Sequence, residues 1–315
     1  MAKQVTVLAP AKLNLALDIV GMFPNGYHDL DMLMQAITLY ERITLKKAPE
    51  IQLELPGSFV AANEKNTAYK AAKLFLEYTG LKGGVKISVQ KRVPVRAGMA
   101  GGSADAAGVL VGMNELYHAR LSMSELCFLG AKVGADVPFA LLGGTCRVQG
   151  VGDLIRALPP CPQCWFVVVM PSVGISTPEA FQKYDEVGSP VHPDCAKQEE
   201  AIREGNLNGI CAACGNALEF CSGAQETPHI RELMTQNGAV ASMMTGSGAA
   251  VFGVFDNEQT AQKAREALRK EYKRVYLAQP DRGGARVLPE RQTAQKSTKR
   301  AGTKKRQAAR AKQGI

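Results

Sequence analysis

A run of small residues at positions 94–107, PVRAGMAGGSADAA, constrains this chain more than any other segment. Upstream of it, Val85, Ile87 and Val89 alternate with polar residues, which is typical of a half-buried strand. Downstream, Ala104 to Tyr117 is rich in Ala, Leu, Val and Met, which predicts a buried helix. A strand, a small-residue loop and a helix in this order allow backbone N–H groups to approach a ligand at the helix start. The segment therefore favours a phosphate site.

Two common phosphate motifs do not match this loop. A P-loop requires Lys and then Ser or Thr after its glycines, whereas the glycine pair at 101–102 is followed by Ser and Ala. The dinucleotide fingerprint requires glycine at its first, third and sixth positions, but counting from Gly98 places Ala100 third and Ser103 sixth. For the loop taken alone, a tight turn with close helix packing is the alternative interpretation.

The net charge of +9 belongs to the C-terminal end of the chain. Residues 291–315 contain nine Lys or Arg and no acidic residue, so the remaining 290 residues are neutral overall. This tail has no hydrophobic periodicity, and we predict that it is disordered. It either contacts nucleic acid or another anionic surface, or is a solvated extension with no dedicated role, and the last interpretation is favoured.

Nothing in the sequence predicts a secretion signal or a membrane span, so we expect a cytoplasmic protein without a membrane partner. The eight cysteines are then expected to be free thiols. Two pairs have CxxC spacing, Cys161/Cys164 and Cys211/Cys214, and together they could bind zinc. Because the pairs lie far apart and the second lies in a helix-like segment, separate thiols are the favoured interpretation.

Strand-like and helix-like segments alternate along the chain, which predicts a mixed α and β fold. Asn25-Gly26 lies between two extended runs and predicts a hairpin. Residues 67–79 and 260–274 have the apolar spacing of amphipathic helices. The proline-rich segment near 159–162 marks a boundary, so we predict domains at 1–158 and 159–288, followed by the tail at 289–315.

Several polar residues in apolar or turn contexts are candidates for chemistry. Lys12 interrupts an apolar run, where a cation either faces an anionic partner or is exposed at an edge. Asp136 lies between two helix-like segments and is either an N-cap or a general base. Tyr27 and His28 follow the Asn25-Gly26 turn, where they either pack or hold a heterocyclic base.

The order of these segments is more specific than any one of them. PAKLNL, NGYHDL, the loop near residue 100, GADVPF near 136 and TGSGAAVF near 246 together resemble the GHMP kinase superfamily over residues 5–280. The resemblance implies an α+β fold with two domains. The N-terminal, ATP-binding domain is expected to be similar to domain 2 of ribosomal protein S5, and the C-terminal domain to be ferredoxin-like.

PAKLNL and GYH are most similar to the motifs of those members that act on a cytidylylated sugar alcohol. The resemblance implies phosphorylation of the 2-hydroxyl of 4-diphosphocytidyl-2-C-methyl-D-erythritol, a step of non-mevalonate isoprenoid synthesis, with ATP and Mg²⁺. One alternative is another GHMP-type kinase of the homoserine or mevalonate class. The other, of a different kind, is a nucleic-acid-binding protein that acts through its basic tail.

The resemblance also assigns roles to positions. Lys12 and Asp136 match the catalytic pair, in which Asp136 accepts the hydroxyl proton and Lys12 keeps it ionised and stabilises the developing alkoxide. Asn14, Tyr27 and His28 match substrate-binding positions, and Gly246, Ser247 and Gly248 match a motif that braces the phosphate loop. The positions that match the ATP-binding loop are Pro94, Val95, Arg96, Ala97, Gly98, Met99, Ala100, Gly101, Gly102, Ser103 and Ala104.

A metal cage made by the protein alone is not expected, although Ser103 is a candidate contact for Mg²⁺. The loop departs from the superfamily in having fewer glycines, with Arg96, Ala97 and Ala100 at positions often occupied by Gly or other small residues. If Ala97 or Ala100 takes a positive φ, we expect backbone strain that affects nucleotide affinity rather than the reaction. The sequence indicates no oligomeric state.

Overall fold

Two β-sheets organise the chain in a computed structural model, which describes residues 4–289. The strands are β1 (Val5–Met22), β2 (His28–Ala48), β3 (Gln52–Glu54), β4 (Gly84–Gln90), β5 (Thr145–Gly150), β6 (Leu154–Ala157), β7 (Trp165–Val169), β8 (Gly215–Asn216), β9 (Ala241–Met244), β10 (Val251–Phe255), β11 (Val275–Ala278) and β12 (Arg286–Val287). The helices are α1 (Thr67–Thr79), α2 (Gly101–Tyr117), α3 (Met123–Val133), α4 (Val137–Leu142), α5 (Thr177–Val187), α6 (Cys195–Arg203), α7 (Leu207–Ala212), α8 (Ala217–Cys221), α9 (Thr227–Gln236) and α10 (Glu258–Leu268).

The long antiparallel pair of β1 and β2 is the centre of the eight-stranded sheet. The predicted hairpin is confirmed, since the chain reverses between the two strands with Gly26 at φ 83°. Register shifts interrupt the pair at Pro10/Ala11 and again between Asn14 and Ala16. Such irregularities re-aim side chains, and here they flank the segment that carries Lys12.

Helices α1 and α2 cover one face of this sheet. Helix α1 has the predicted bounds, with Ala68 and Phe75 among its buried residues, and the Asn66 side chain accepts a hydrogen bond from Ala68 N at 2.9 Å. The prediction for α2 was wrong at its start, because the helix begins at Gly101 rather than at Ala104. Ala100 takes a left-handed conformation and turns the chain directly into the helix, so the last glycines of the loop are helical.

The four-stranded sheet has the order β11-β7-β10-β9 and is antiparallel throughout. With α9 before β9 and α10 before β11, it forms the β-α-β-β-α-β arrangement of a ferredoxin-like domain, as expected. Helix α10 ends at Leu268, short of the predicted residue 274. The residues after Leu268 reverse the chain so that β11 can pair with β7.

The two halves of the sequence share the larger sheet. Strand β7 opens the smaller sheet, but β8 later pairs in parallel with β1 at Ala16 and Leu17, and β12 pairs with β1 at Val7 and Leu8. The division at 158/159 stays a prediction, and the predicted basic tail at 291–315 lies outside the described residues. None of the helices within residues 4–289 has the length and apolarity to cross a membrane.

Candidate active site

One cavity of about 620 Å³ brings together most of the predicted site residues. Lys12 and Asn14 reach it from β1, Asp136 from the residue before α4, and Gly246 and Ser247 from the turn between β9 and β10. The loop residues that line it are Pro94, Val95, Arg96, Ala97, Gly98, Met99, Ala100, Gly101, Gly102 and Ser103.

Four predicted site residues are not part of this lining: Ala104, Gly248, Tyr27 and His28. Ala104 lies one turn inside α2, is fully buried and packs into the core of the larger sheet. Gly248 lies behind the lining, close to Gly98. Tyr27 and His28 lie at the end of the β1–β2 hairpin, where His28 contacts the aromatic ring of Phe181.

The start of α2 leaves backbone donors unpaired at the cavity. Ala100 is the N-cap residue but has no side-chain cap, and the first helical hydrogen bond runs from Ala104 N to Ala100 O at 2.9 Å. The N–H groups of residues 101–103 are therefore not used by the helix. Ala100 has a positive φ of 56°, as considered from the sequence, and Ala97 does not. Arg96 also has a φ of 56°. Such conformations cost about 1–3 kcal/mol each.

The turn between β9 and β10 packs directly against the phosphate loop. Gly98 has φ 69°, and a Cβ atom there would lie 2.0 Å from the carbonyl oxygen of Thr245. The backbone N–H groups of Ala249 and Ala250 donate to the carbonyls of Arg96 and Ala97, both at 3.3 Å. Only glycine fits at position 98, because the two loops touch through their backbones there.

Lys12 is a buried cation at the floor of the cavity, with 5% of its surface exposed. Burial lowers the pKa of Lys12, and the nearby charge of Asp136 raises it. The Lys12 ammonium donates to the side-chain oxygen of Asn14, and Asn14 N donates to Thr245 Oγ1 at 2.9 Å. Lys12 is thus not a solvent-facing strand residue, and β1 is joined to the turn that braces the loop.

Asp136 occupies the N-cap position of α4, but its side chain makes no capping hydrogen bond. Proline in the first turn of α4 lacks an N–H, which reduces the need for a cap. The carboxylate of Asp136 therefore lines the cavity without a backbone partner from α4, within electrostatic range of Lys12. A carboxylate and an ammonium beside unpaired helix N–H groups can deprotonate an alcohol and stabilise phosphate charge.

Residues 66–144 match the family model described as GHMP kinases N terminal domain, and residues 199–274 match GHMP kinases C terminal. The 4-diphosphocytidyl-2-C-methyl-D-erythritol kinase of Lachnoclostridium phytofermentans is 40% identical over 82% of this chain and 91% of that protein. The chain belongs to the 4-diphosphocytidyl-2-C-methyl-D-erythritol kinase family of GHMP kinases. The kinase of the same name from Listeria monocytogenes is 37% identical over 88% of this chain and 96% of its own length.

Solved structures agree with this assignment and confirm the GHMP kinase fold expected from the sequence. A 4-(cytidine 5′-diphospho)-2C-methyl-D-erythritol kinase aligns with a TM-score of 0.75 and 33% identity, over 89% of this chain and 99% of that chain. The homoserine kinase of Cytophaga hutchinsonii aligns with a TM-score of 0.72 over 91% of this chain and 98% of that chain. At 17% identity, this second structure shares the fold only.

Beyond the cavity of this GHMP kinase, His28 packs against the aromatic rings of Phe181 and Tyr184. The ring of His28 stacks on Phe181 with centroids 4.7 Å apart, and its Nε2 lies 2.7 Å from Asp185 Oδ1. Tyr27 is 64% exposed. Phe181 itself lines the cavity, so its ring connects the cavity to His28. Sequence reasoning missed Phe181, which lies in an ordinary amphipathic helix.

A buried ionic cluster next to the phosphate loop was also missed. Lys91 Nζ lies 2.5 Å from Glu41 Oε1 and 2.7 Å from Asp105 Oδ2, and both Lys91 and Asp105 line the cavity. Burial raises the pKa of Asp105 to about 7, an effect that Lys91 opposes and Glu41 reinforces. The one available signal was the position of Lys91, directly between the strand and the loop.

The turn that braces the loop is itself held by two side chains that sequence reasoning missed. Asn216 Nδ2 donates to the carbonyl oxygens of Met244 and Gly246, at 2.9 and 2.8 Å. Glu219 accepts a hydrogen bond from Met244 N at 2.6 Å. Because Asn216 belongs to β8, which pairs with β1, these contacts fix the turn relative to the strand that carries Lys12.

Ser103 is the residue that fits the predicted magnesium contact. It lies in the first turn of α2 and lines the cavity beside the unpaired N–H groups. Within residues 4–289, no three His, Cys, Asp or Glu side chains are arranged to hold a metal ion. Mg²⁺ is commonly held by one or two protein oxygens together with substrate phosphates, and a single hydroxyl suits that pattern.

Proposed function

We propose that this chain transfers the terminal phosphoryl group of ATP to the 2-hydroxyl of 4-diphosphocytidyl-2-C-methyl-D-erythritol. The family assignment supports the substrate and the use of ATP. The observation that carries the site is the convergence of Lys12, Asp136 and the uncapped start of α2 on one cavity. These groups come from three separate parts of the sequence. A structural role for one of them would not explain why all three line the same cavity.

Phosphoryl transfer depends on positioning and on neutralisation of charge more than on covalent help from the protein. The N–H groups of residues 101–103 and the positive end of α2 bind the phosphates of ATP. Neutralisation of phosphate charge is the chemistry that Mg²⁺ supplies when it is bound, and the hydroxyl of Ser103 would hold it. The backbone contacts between positions 96–98 and 245–250 keep these donors in place.

Asp136 is the general base of the proposed reaction. Its carboxylate accepts the proton of the 2-hydroxyl as the oxygen attacks the terminal phosphorus in line. Lys12 stabilises the alkoxide that develops on that oxygen, since its ammonium is buried and acts at short range in a site of low dielectric. The hydrogen bond to Asn14 holds the ammonium on the cavity side of β1.

The cytosine ring is proposed to bind at the aromatic end, among Tyr27, His28 and Phe181. Aromatic side chains offer flat faces for a base, and an imidazole offers a hydrogen-bonding edge. Asp185 holds Nε2 of His28 and so limits the ring to one orientation. A cytoplasmic location and a contact between the basic tail and nucleic acid stay predictions.

The proposal is tested by ATP consumption with a panel of alcohols. The panel contains 4-diphosphocytidyl-2-C-methyl-D-erythritol, its analogue without the cytidylyl group, homoserine and mevalonate. We expect kcat/KM for the cytidylylated alcohol to exceed that for every other member by at least about 10³, because an analogue without the base leaves the polar groups that would pair with it unsatisfied. Preference for homoserine or mevalonate, or equal use of the analogue, contradicts the assignment.

A further inference from the structure

A second cavity, of about 600 Å³, shares the walls of α5 and α8 with the catalytic cavity. Leu218 of α8 lines the catalytic cavity, whereas the next two residues, Glu219 and Phe220, line the second one. Helix α5 is shared in the same way, with Phe181 at the catalytic cavity and Lys183 at the second. The two cavities have no lining residue in common, so the second is a separate place for a ligand.

The charged groups of the second cavity favour an anion. Its lining has two cations, Lys183 and Arg231, and one carboxylate, that of Glu219. Glu219 is already engaged, because it accepts hydrogen bonds from Arg231 Nη1 and from Met244 N. No ion pair within residues 4–289 uses the Lys183 ammonium, which lies so close to Gly223 that a Cβ atom there would be 2.6 Å from Nζ. The guanidinium of Arg231 has further N–H groups, so it can hold a second anion.

Two hydroxyls of this lining lack a partner. Thr227 is 3% exposed, and among the residues that the structure describes its Oγ1 has no hydrogen bond. The same holds for the buried Oγ of Ser242 on β9. A hydroxyl turns about its Cα–Cβ bond between staggered positions, so an acceptor oxygen in the cavity can satisfy it. Phe220 and Val191 add exposed apolar surface to the lining, so the fitting ligand has several acceptor oxygens and an apolar part.

We propose that the second cavity binds a small organic phosphate, with its anionic group on Lys183 and Arg231 and its apolar part against Phe220. A phosphate group has enough acceptor oxygens to receive an ammonium, a guanidinium and a hydroxyl at once. Binding is non-covalent and breaks no ion pair, because Glu219 keeps its contact with Arg231 Nη1.

Hydrogen bonds connect the second cavity to the phosphate loop. Two residues of its lining hold the turn between β9 and β10: Glu219 accepts from Met244 N at 2.6 Å, and Asn216 Nδ2 donates to two carbonyl oxygens of the turn at 2.9 and 2.8 Å. That turn packs on Gly98 of the phosphate loop. A phosphate that bridges α5 and α9 holds both helices against α8, which carries Glu219. We therefore expect the ligand to strengthen ATP binding, and ATP to strengthen binding of the ligand by the same factor.

The test titrates phenyl phosphate into the full chain by calorimetry, with a non-hydrolysable ATP analogue at saturation to fill the catalytic cavity. We expect binding of phenyl phosphate, and at least about tenfold weaker binding of phenol, which lacks the anionic group. Lys183→Gln and Arg231→Gln each remove one cation and should raise Kd for phenyl phosphate at least about fivefold, since hydrogen bonds to charged groups are the stronger ones. Lys263→Gln is the matched control, because this exposed lysine lies on α10, outside the lining of the second cavity, and Kd should stay unchanged.

The affinity for the ATP analogue reports on the connection between the two cavities. Its Kd should fall at least about threefold in saturating phenyl phosphate, and it should no longer fall in Lys183→Gln. Competition at the phosphate loop has the opposite sign, because it raises the Kd of the analogue.

The proposal is overturned if phenyl phosphate does not bind while the analogue fills the catalytic cavity, or if both cation variants bind it as tightly as the wild type. A Kd of the analogue that rises or stays unchanged in phenyl phosphate overturns it as well. Thermal unfolding of each variant establishes that it is folded. None of these readouts uses turnover, so they stand apart from the test of the kinase reaction.

Discussion

Replacement of Asp136 by asparagine removes a proton acceptor without removing a capping hydrogen bond of the fold. The Asp136 side chain makes no capping bond at the start of α4, and asparagine has the same shape. The substitution also removes the charge that faces the buried ammonium of Lys12, so the free energy of unfolding is measured alongside turnover. Loss of a general base typically costs about 10²–10⁴ in turnover. At 1.36 kcal/mol per factor of ten, this is about 2.7–5.4 kcal/mol of activation free energy.

The assay compares initial rates of ADP formation at saturating substrates with the urea-unfolding curve of each variant. Asp256→Asn is the control, because this exposed carboxylate follows β10 and lies outside the cavity lining. It should match the wild type in both measurements. The base assignment is refuted if Asp136→Asn keeps more than about a tenth of wild-type turnover. It is also refuted if the lost turnover merely follows an equal loss of folded protein.

Three further substitutions test the loop and the buried ionic cluster. Gly98→Ala places a Cβ atom 2.0 Å from Thr245 O and should raise KM for ATP more than tenfold. Gly57→Ala is the control, because Gly57 also has a positive φ (73°) but open space around it, and KM for ATP should stay unchanged. Ala100→Gly relieves a φ of 56° and should raise the free energy of unfolding by about 0.5–1 kcal/mol in urea titrations; a decrease argues against strain there. The pKa of Asp105 is raised from 3.8 to about 7, so the folded protein binds this proton more tightly than the unfolded chain does. The resulting stabilisation is fully present below about pH 4 and is lost as the pH rises through about 7. Wild-type stability relative to Asp105→Asn should therefore fall between pH 5 and pH 8, and a rise contradicts the cause assigned to the pKa.

Local patterns predicted those parts of the fold that depend on local physics. Helix α1 follows from the spacing of its apolar residues, and the β1–β2 reversal from the conformational freedom of Gly26. The start of α2 was misplaced because glycine and serine are common in loops, whereas the left-handed conformation of Ala100 decides where the helix begins. Lys12 and Asp136 were candidates from their local contexts, motif order paired them, and their shared cavity comes from the structure.

Contacts between distant segments could not be predicted from one sequence. Asparagine is common in turns, so the sequence does not reveal the role of Asn216. Only the tertiary fold places its amide on the backbone of the Thr245 turn. Phe181 lies on a helix whose apolar spacing predicts packing, and only the fold places its ring on His28.

A crystal structure with a non-hydrolysable ATP analogue and 4-diphosphocytidyl-2-C-methyl-D-erythritol tests the central claim most directly. The 2-hydroxyl oxygen should lie about 2.6–3.2 Å from the carboxylate of Asp136, as a general base requires. The terminal phosphate should contact the N–H groups of residues 101–103 and the ammonium of Lys12. A triphosphate bound away from the start of α2, or a 2-hydroxyl facing some other base, contradicts the account.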